Sequence, residues 1–292
     1  MSIITKSNEL ITTEEEIKNG FKWQAETKMK LIKSFSNNFD LFVKDAIHKE
    51  LNELILKKEY YDVLTSICGF SQKSRSHLGK EFIIDTIKTS IDLDRLKKDI
   101  TYIEELKISY FLTCGESLGG TMRNIVGQFA QNKLSQKIID RLTDNRISYI
   151  VTKNKKQNII KLEWDNYCLF FNKKPKFINK SIDFILLKDL DKNFDIEKPE
   201  LYLSCGELKG GIDPAGADEH WKTANFALDR IRKSFNEKNL IVPDLFFIGS
   251  AIETSMAKEI FEQIKNGKLK YVANLNKEEQ VIELIDVLLE LK

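Results

Sequence analysis

An acid and a lysine two positions apart end an apolar stretch in the second half of the chain. Glu207 and Lys209 flank Leu208, and alternate residues of a β-strand point to the same face, so the two charged side chains are expected to share a face while Leu208 faces the core. A second carboxylate, Asp183, lies inside the apolar segment 181–187. Two acids and a lysine on neighbouring strands are the residues of a metal-dependent phosphodiesterase site, which is the hypothesis we develop.

The hypothesis assigns a Mg²⁺ ion to this group. Magnesium prefers hard oxygen ligands and keeps several of its waters, so Asp183 and Glu207 with the substrate phosphate would suffice, and the carbonyl of Leu208 is a third candidate ligand. The cation would neutralise charge on the phosphoryl oxygens and lower the pKa of the attacking water. Lys209 would polarise that water or stabilise the phosphorane. The sequence therefore predicts catalytic roles for Asp183, Glu207 and Lys209.

The bare acid–x–lysine pattern is weak evidence by itself. Glu26 and Lys28 have the same spacing within a predicted helix. For the first acid, Asp189 and Asp191 are alternatives, although both lie beyond the strand. The competing interpretation of Asp183 is an acid on an edge strand that faces water. The apolar context of the two strands favours the catalytic interpretation, because an unpaired charge is costly to bury there.

Two kinds of secondary structure are predicted to position these residues. The first hundred residues show helical periodicity, with a capping box at Thr13 and Glu16, and no strand-like alternation. After about residue 144 the pattern changes to short β-branched strands interleaved with helices. We predict helices over 13–58, 59–67, 77–89, 91–107, 116–142, 220–235, 254–266 and 277–291, and strands over 147–152, 159–164, 167–171, 181–187, 199–209, 245–248 and 271–273.

This order predicts an α/β fold of the α+β type, in which a mixed sheet flanked by helices follows an all-helical part. We place the division between a helical domain at 1–108 and a catalytic domain at 109–292. The composition fits a soluble globular protein, with 42% hydrophobic and 31% charged residues among 292 and a net charge of +2. No apolar run is long enough to span a membrane and the N-terminus has no signal pattern, so a cytoplasmic location is expected. The four cysteines form no CxxC pair, which argues against a zinc site and a disulfide scaffold.

The segment from Gly206 to Ala224, GELKGGIDPAGADEHWKTA, closely resembles the signature of the AvaI/BsoBI family of type II restriction endonucleases. A second block, GESLGGTMRN at 115–124, is similar to a helix start found in several restriction enzymes. The resemblance covers about residues 110–235. It implies a PD-(D/E)xK nuclease fold, a homodimer that encircles double-stranded DNA, and Mg²⁺-dependent cleavage.

The resemblance also implies roles for individual residues. Asp183, Glu207 and Lys209 match the two acids and the lysine of the family, although Ile182 stands where the family has proline. His220 matches a histidine for which a catalytic role has been proposed, and its alternative is a helix-start residue that contacts a phosphate or packs under Trp221. Asp213 matches a position that reads base edges, where an acid can accept a hydrogen bond from cytosine. The alternative for Asp213 is a turn residue before a proline.

Further DNA contacts are predicted from cationic and polar side chains. Arg123 and Asn124 lie on the helix of the second block, where Arg123 could hold a phosphate or form an internal salt bridge. The polar stretch 72–80 runs into a helix N-terminus, a natural position for a phosphate, although a solvated loop is the alternative. The DNA-binding candidates are Lys73, Arg75, Lys80, Arg123, Asn124, Asp213 and Lys222.

These observations predict a dimeric, Mg²⁺-dependent type II restriction endonuclease with a cognate DNA methyltransferase as its genetic partner. Family members cut a degenerate palindrome, C-pyrimidine-C-G-purine-G, and a C/G-rich palindrome is expected here. The alternatives are a structure-specific repair nuclease and a catalytically inactive DNA-binding module on the same fold. The intact pair of Glu207 and Lys209 argues against the inactive module.

Overall fold

The computed structural model of the protein describes residues 4–290, and these residues divide into two compact units. One unit contains the described residues up to Phe21 and those from Ile125 onward, and the other is Lys22–Asn124. The predicted domain boundary between residues 108 and 109 lies inside a single long helix, Ile100–Asp144, which contributes residues to both units. Among the described residues no helix is long and apolar enough to cross a membrane.

Ten α-helices and seven strands are defined within residues 4–290. The helices are α1 (Glu14–Ala46), α2 (Leu51–Leu56), α3 (Lys58–Ile67), α4 (Gln72–Arg75), α5 (Lys80–Ser90), α6 (Leu93–Leu96), α7 (Ile100–Asp144), α8 (Ala217–Asn236), α9 (Thr254–Lys265) and α10 (Glu278–Leu288). The strands are β1 (Tyr149–Lys153), β2 (Ile159–Trp164), β3 (Tyr167–Lys173), β4 (Ile182–Lys188), β5 (Tyr202–Lys209), β6 (Asp244–Gly249) and β7 (Tyr271–Asn274).

The seven strands form one sheet in the order of the sequence. Strands β1 to β5 pair antiparallel, whereas β5, β6 and β7 pair parallel, so the sheet is mixed. This arrangement confirms the predicted mixed sheet with helices on its faces. Strand β4 lies between β3 and β5, and the interpretation of Asp183 as an edge-strand acid is therefore wrong.

Alternate residues of the central strands pack into two different cores. On one face, Ile185 and Cys205 join a core that includes Trp221 and other residues of α8 and α9. On the other face, Phe184 packs with residues of α7 and α10, and Leu208 is packed against the same core. The predicted inward orientation of Leu208 is confirmed, and the alternation directs Asp183, Glu207 and Lys209 toward the face covered by α8.

The Lys22–Asn124 unit is all-helical, as predicted for this part of the chain. Its core contains Phe39, Phe42, Leu54, Leu64 and Ile87, which are at most 1% exposed. Phe39, Phe42 and Leu54 belong to the helical periodicity from which this part of the chain was predicted to be helical. The predicted capping box is present at the start of α1, where the carboxylate of Glu16 accepts from the backbone N–H of Thr13 at 2.6 Å.

Several predicted element boundaries are wrong. The segments predicted as separate helices at 91–107 and 116–142 belong mainly to the one helix α7, because the apolar residues at 109–113 continue the helix rather than break it. The predicted strand entry at residue 199 is a 3-10 turn over Pro199–Leu201, and β5 begins at Tyr202. Helix α8 begins at Ala217, three residues before the prediction. The end of the predicted last helix, residue 291, lies outside the described residues.

A short N-terminal segment is fastened across the carboxyl ends of β6 and β7. The hydroxyl of Thr12 donates to the carbonyl of Ser250 and accepts from the backbone N–H of Ile252, both at 2.9 Å. The side-chain amide of Asn274 donates to Thr12 Oγ1 and to the carbonyl of Leu10, again at 2.9 Å. These groups are buried, so the segment forms part of the structure that supports the sheet edge.

Candidate active site

The three residues predicted to do chemistry meet at the ends of two neighbouring central strands. Phe184 of β4 pairs with Gly206 of β5, which places Asp183 and Glu207 side by side one position further along. A Cβ on Gly206 would lie 1.9 Å from the ring of Phe184, so the ring lies directly over the glycine in space that a side chain at position 206 would fill. The antiparallel register of β4 and β5 therefore brings the two acids together.

Lys209 forms ion pairs with both acids. Its Nζ lies 2.8 Å from Glu207 Oε2 and 3.5 Å from Asp183 Oδ2. Burial alone would lower the pKa of Lys209, but the charges of Glu207 and Asp183 outweigh that effect and raise the pKa above its ordinary value. Lys209 therefore remains a cation beside the carboxylates.

Glu207 is the most deeply buried group of the site, with 4% of the residue exposed. Burial, followed by the negative charge of Asp183, raises the pKa of Glu207 from its ordinary 4.5 to about 7, although Lys209 acts in the opposite direction. A hydrogen bond between the two carboxyl groups also favours a retained proton. Glu207 therefore holds a proton more readily than an exposed glutamate does.

Asp183 is held in place by the backbone of the opposite strand. Its Oδ2 accepts a hydrogen bond of 2.8 Å from the N–H of Leu208. The alternatives Asp189 and Asp191 lie beyond β4, where the carboxylate of Asp189 accepts from the backbone N–H groups of Asp191 and Asn193 in a turn. Of the three candidate acids, Asp183 is the one paired with Lys209.

A loop connects β5 to α8, and we call residues 210–216 the post-lysine loop. His220, in the first turns of α8, lies against this loop, since a Cβ on Gly211 would be 2.8 Å and one on Gly216 3.5 Å from His220 Nε2. Asp213 is exposed, and its Oδ1 accepts from the N–H of Ala215 at 3.0 Å. The turn-capping interpretation of Asp213 thus describes its bonding within the chain, and its exposure leaves the second oxygen accessible.

A family model and two known restriction enzymes resemble the chain along almost its whole length. The family model described as Restriction endonuclease BsobI matches residues 2–291 of the chain. The type II restriction enzyme AvaI of Nostoc sp. (strain PCC 7120 / SAG 25.82 / UTEX 2576) is 35% identical over 304 residues, which cover 96% of this chain and 96% of the relative. The type II restriction enzyme BsoBI of Geobacillus stearothermophilus is 38% identical over 300 residues, which cover 94% of this chain and 93% of the relative.

The chain belongs to the BsobI restriction endonuclease family. The match extends over both units, so the helical unit is part of the family's chain and not an unrelated addition. The resemblance noticed in the two sequence blocks is confirmed. The seven-stranded mixed sheet with a helical N-terminal region agrees with the restriction-endonuclease-like fold expected of the family.

The remaining DNA-binding candidates are divided between the two units. Lys222 is exposed on α8 and forms an ion pair of 2.6 Å with Asp218 one turn earlier. Exposed ion pairs of this kind contribute little to stability, so Lys222 can exchange its partner for a phosphate at small cost. The other five candidates, Lys73, Arg75, Lys80, Arg123 and Asn124, belong to the Lys22–Asn124 unit.

Within that unit the five candidates differ in exposure. Lys73, Lys80, Arg123 and Asn124 are exposed, whereas the guanidinium of Arg75 is paired with Asp62 and only 16% of its side chain is exposed. The structure therefore gives Arg75 an internal partner. Contact of these residues with DNA remains a prediction.

Sequence reasoning missed two groups of residues that support the site. Thr12 and Asn274 form the buried network at the carboxyl ends of β6 and β7. The sequence signal that could have revealed them is that each is a polar residue directly after a short apolar run. Gly20 and Ile212 make a close contact between α1 and the post-lysine loop. No local pattern distinguishes a helical glycine of this kind, since its role depends on a residue almost two hundred positions away.

Proposed function

We propose that the protein is a homodimeric, Mg²⁺-dependent type II restriction endonuclease that makes double-strand breaks at a C/G-rich palindrome such as C-pyrimidine-C-G-purine-G. The observation that carries the proposal is the meeting of Asp183, Glu207 and Lys209 at the ends of β4 and β5 in a chain of this family. Magnesium, when bound, supplies Lewis-acid stabilisation of the phosphoryl oxygens and a water of lowered pKa.

The residues present fit a hard divalent cation. Residues 4–290 contain no group of three or more His, Cys, Asp and Glu side chains that could hold a metal ion. Magnesium does not require such a group, because one or two carboxylates besides water and phosphate oxygens are enough for it. Asp183 and Glu207 would hold it, with the carbonyl of Leu208 as a third candidate.

The cationic and imidazole groups of the chain would act on the substrate directly. The ammonium of Lys209 is held by two carboxylates, and it can donate a hydrogen bond to the attacking water or to a phosphoryl oxygen. His220 lies against the post-lysine loop, where it can contact the phosphate or accept a proton from the water. Asp213 would accept a hydrogen bond from a cytosine amino group in the major groove.

Digestion of plasmid and phage DNA in the presence of Mg²⁺ tests the proposal. We expect discrete fragments whose ends, read by run-off sequencing, all carry the same sequence. EDTA should prevent their formation. Smeared products or cleavage of branched DNA alone would support a repair nuclease instead. Binding of DNA without cleavage would support an inactive module.

Matched variants test which residues do the chemistry. We expect Glu207→Gln and Lys209→Ala to abolish cleavage while specific DNA binding, measured by gel shift, is largely retained. Glu163→Gln is the control, because Glu163 also lies two positions from a lysine on a strand of the same sheet and pairs with Lys161 at 2.8 Å. Full activity of either site variant would show that the chemistry lies elsewhere.

A further inference from the structure

The post-lysine loop is held by three helices, and the contact with α1 is the tightest. A Cβ built on Gly20 of α1 would lie 2.3 Å from Cγ1 of Ile212 and 2.9 Å from both its Cβ and its Cγ2. Ile212 is only 5% exposed. The helix backbone at Gly20 therefore serves as the seat of the Ile212 side chain.

A larger residue at position 20 cannot be accommodated by a rotamer change alone. The Cβ of Ile212 is attached directly to the loop backbone, and it is itself one of the atoms that would be approached too closely. Relief of the overlap requires a shift of the loop or of the helix. The helix is poorly placed to shift, because Thr12, just before its start, is bonded to Ser250 and Ile252 within the sheet edge.

The two neighbouring contacts hold the loop on its other sides. A Cβ on Gly210 would lie 2.6 Å from the Cβ of Ala130 and 2.9 Å from the carbonyl oxygen of Val126, both on α7. His220 of α8 fills the space beside Gly211. Ile212 is thus the loop residue whose side chain packs against α1, and Asp213, the predicted base reader, follows it directly.

We propose that Gly20 is a specificity-determining positioning residue, which sets the position of Asp213 by seating Ile212. The proposal rests on the proposed function, since it requires the post-lysine loop to read bases. This role does not require Gly20 itself to contact DNA. Its effect reaches the base edge through one side chain and one peptide bond.

The test compares Gly20→Ala with Gly127→Ala. Both glycines lie in long helices of the same unit, but a Cβ on Gly127 has no atom within 4 Å among the described residues outside its own helix and its chain neighbours. Alanine in place of a helical glycine ordinarily stabilises the helix. The measured quantity is the ratio of kcat/KM for the cognate site to that for a site with one changed base pair. Because one mismatched base pair commonly weakens specific binding by roughly tenfold to a hundredfold, we expect Gly20→Ala to reduce this ratio roughly tenfold and Gly127→Ala to leave it unchanged.

A second substitution makes the test independent of folding defects. Ile212→Ala removes Cγ1 and Cγ2, two of the three atoms that a Cβ at position 20 would approach, so Gly20→Ala combined with Ile212→Ala should recover cognate cleavage relative to Gly20→Ala alone. If the Gly20→Ala chain is insoluble, Ile212→Ala is measured by itself. It must also lower the ratio of kcat/KM for the cognate site to that for the changed site, because it removes the contact of the loop with α1 without adding an overlap. A merely structural defect would lower cleavage of both sites equally and leave the ratio unchanged.

The outcomes separate this inference from the proposed function. A wild-type protein that cuts at one sequence, together with a Gly20→Ala variant of unchanged discrimination, overturns the role of Gly20 alone. A wild-type protein that cuts DNA without sequence preference, or does not cut it, overturns both.

Discussion

Glu207 combines near-complete burial with an acidic and a basic neighbour, and its protonation state is the main variable of the site. Burial and Asp183 raise its pKa to about 7, while Lys209 limits the increase. Asp183 and Glu207, the two acids proposed to hold a cation, thus form a pair in which Glu207 more readily keeps a proton.

The first prediction concerns the pH dependence of stability in EDTA. The folded-state pKa of Glu207, about 7, lies above its ordinary 4.5, so the bound proton favours the folded chain at acidic pH. This contribution is fully present below pH 4.5 and is lost as the pH rises to about 7. Glutamine resembles the protonated acid at every pH, so the stability of Glu207→Gln should not fall in this way. The unfolding free energy of the variant minus that of wild type should therefore increase by on the order of 3 kcal/mol from pH 5 to pH 8.

Urea-induced unfolding of both proteins at the two pH values, followed by circular dichroism, measures this change. A difference in unfolding free energy that stays constant between pH 5 and pH 8 would contradict the raised pKa of Glu207.

The second prediction separates the two roles of Asp213. Its Oδ1 caps the turn at Ala215, and serine can replace that cap but is too short to reach a base edge. We therefore expect Asp213→Ser and Asp213→Ala to relax sequence recognition to the same extent. Asp213→Ala alone should also lose about 1 kcal/mol of stability. Cleavage of a library of one-base-changed sites measures the recognition, and wild-type selectivity in Asp213→Ser would leave Asp213 with the capping role only.

At the scale of elements, the strands of the site were predictable and their support was not. The apolar runs around Asp183 and Glu207 mark β4 and β5, since charges within such runs are rare unless paired. The pairing of the two strands was a further step, and so was the packing of the Phe184 ring against Gly206. Local periodicity contains no information about such contacts between distant residues.

Helix α7 was predicted as two separate helices. The sequence predicts separate helices over 91–107 and 116–142, and the glycines at 115, 119, 120 and 127 are helix-weakening residues. The structure has one helix over Ile100–Asp144, because residues on both sides of the glycines are buried in cores, Tyr110 in one unit and Leu134 in the other. Tertiary packing here outweighs local propensity.

The third prediction concerns the segment that fastens the sheet edge. Valine has the shape of threonine without the hydroxyl, so Thr12→Val would leave the buried N–H of Ile252 without its acceptor. We expect Thr12→Val to lose about 2 kcal/mol of unfolding free energy, and Thr12→Ser, which keeps the hydroxyl, to lose less. Urea-induced unfolding measures both. Equal losses would show that the methyl group, and not the hydrogen-bond network, provides the stability.

At the scale of the whole molecule, the chain of 292 residues has a net charge of only +2, so it does not bind DNA through overall charge. Any attraction to phosphates must come from local groups such as Lys73, Lys80 and Lys222, which are exposed. A palindromic site also has two-fold symmetry, and a dimer with one site per subunit matches that symmetry. The proposed double-strand break then requires two active subunits, each of which cuts one strand.

Mixed dimers provide the fourth prediction. Wild-type and Glu207→Gln chains with different affinity tags, produced together and purified through both tags, would contain one active site each. On a supercoiled plasmid with a single recognition site, we expect the mixed dimer to yield nicked circles, while wild-type dimers yield linear DNA and Glu207→Gln dimers leave the plasmid intact. Agarose gel electrophoresis separates the three forms. Linear product from the mixed dimer would mean that one site cuts both strands in turn, and failure to recover any doubly tagged protein would mean that the chain does not act as a stable dimer.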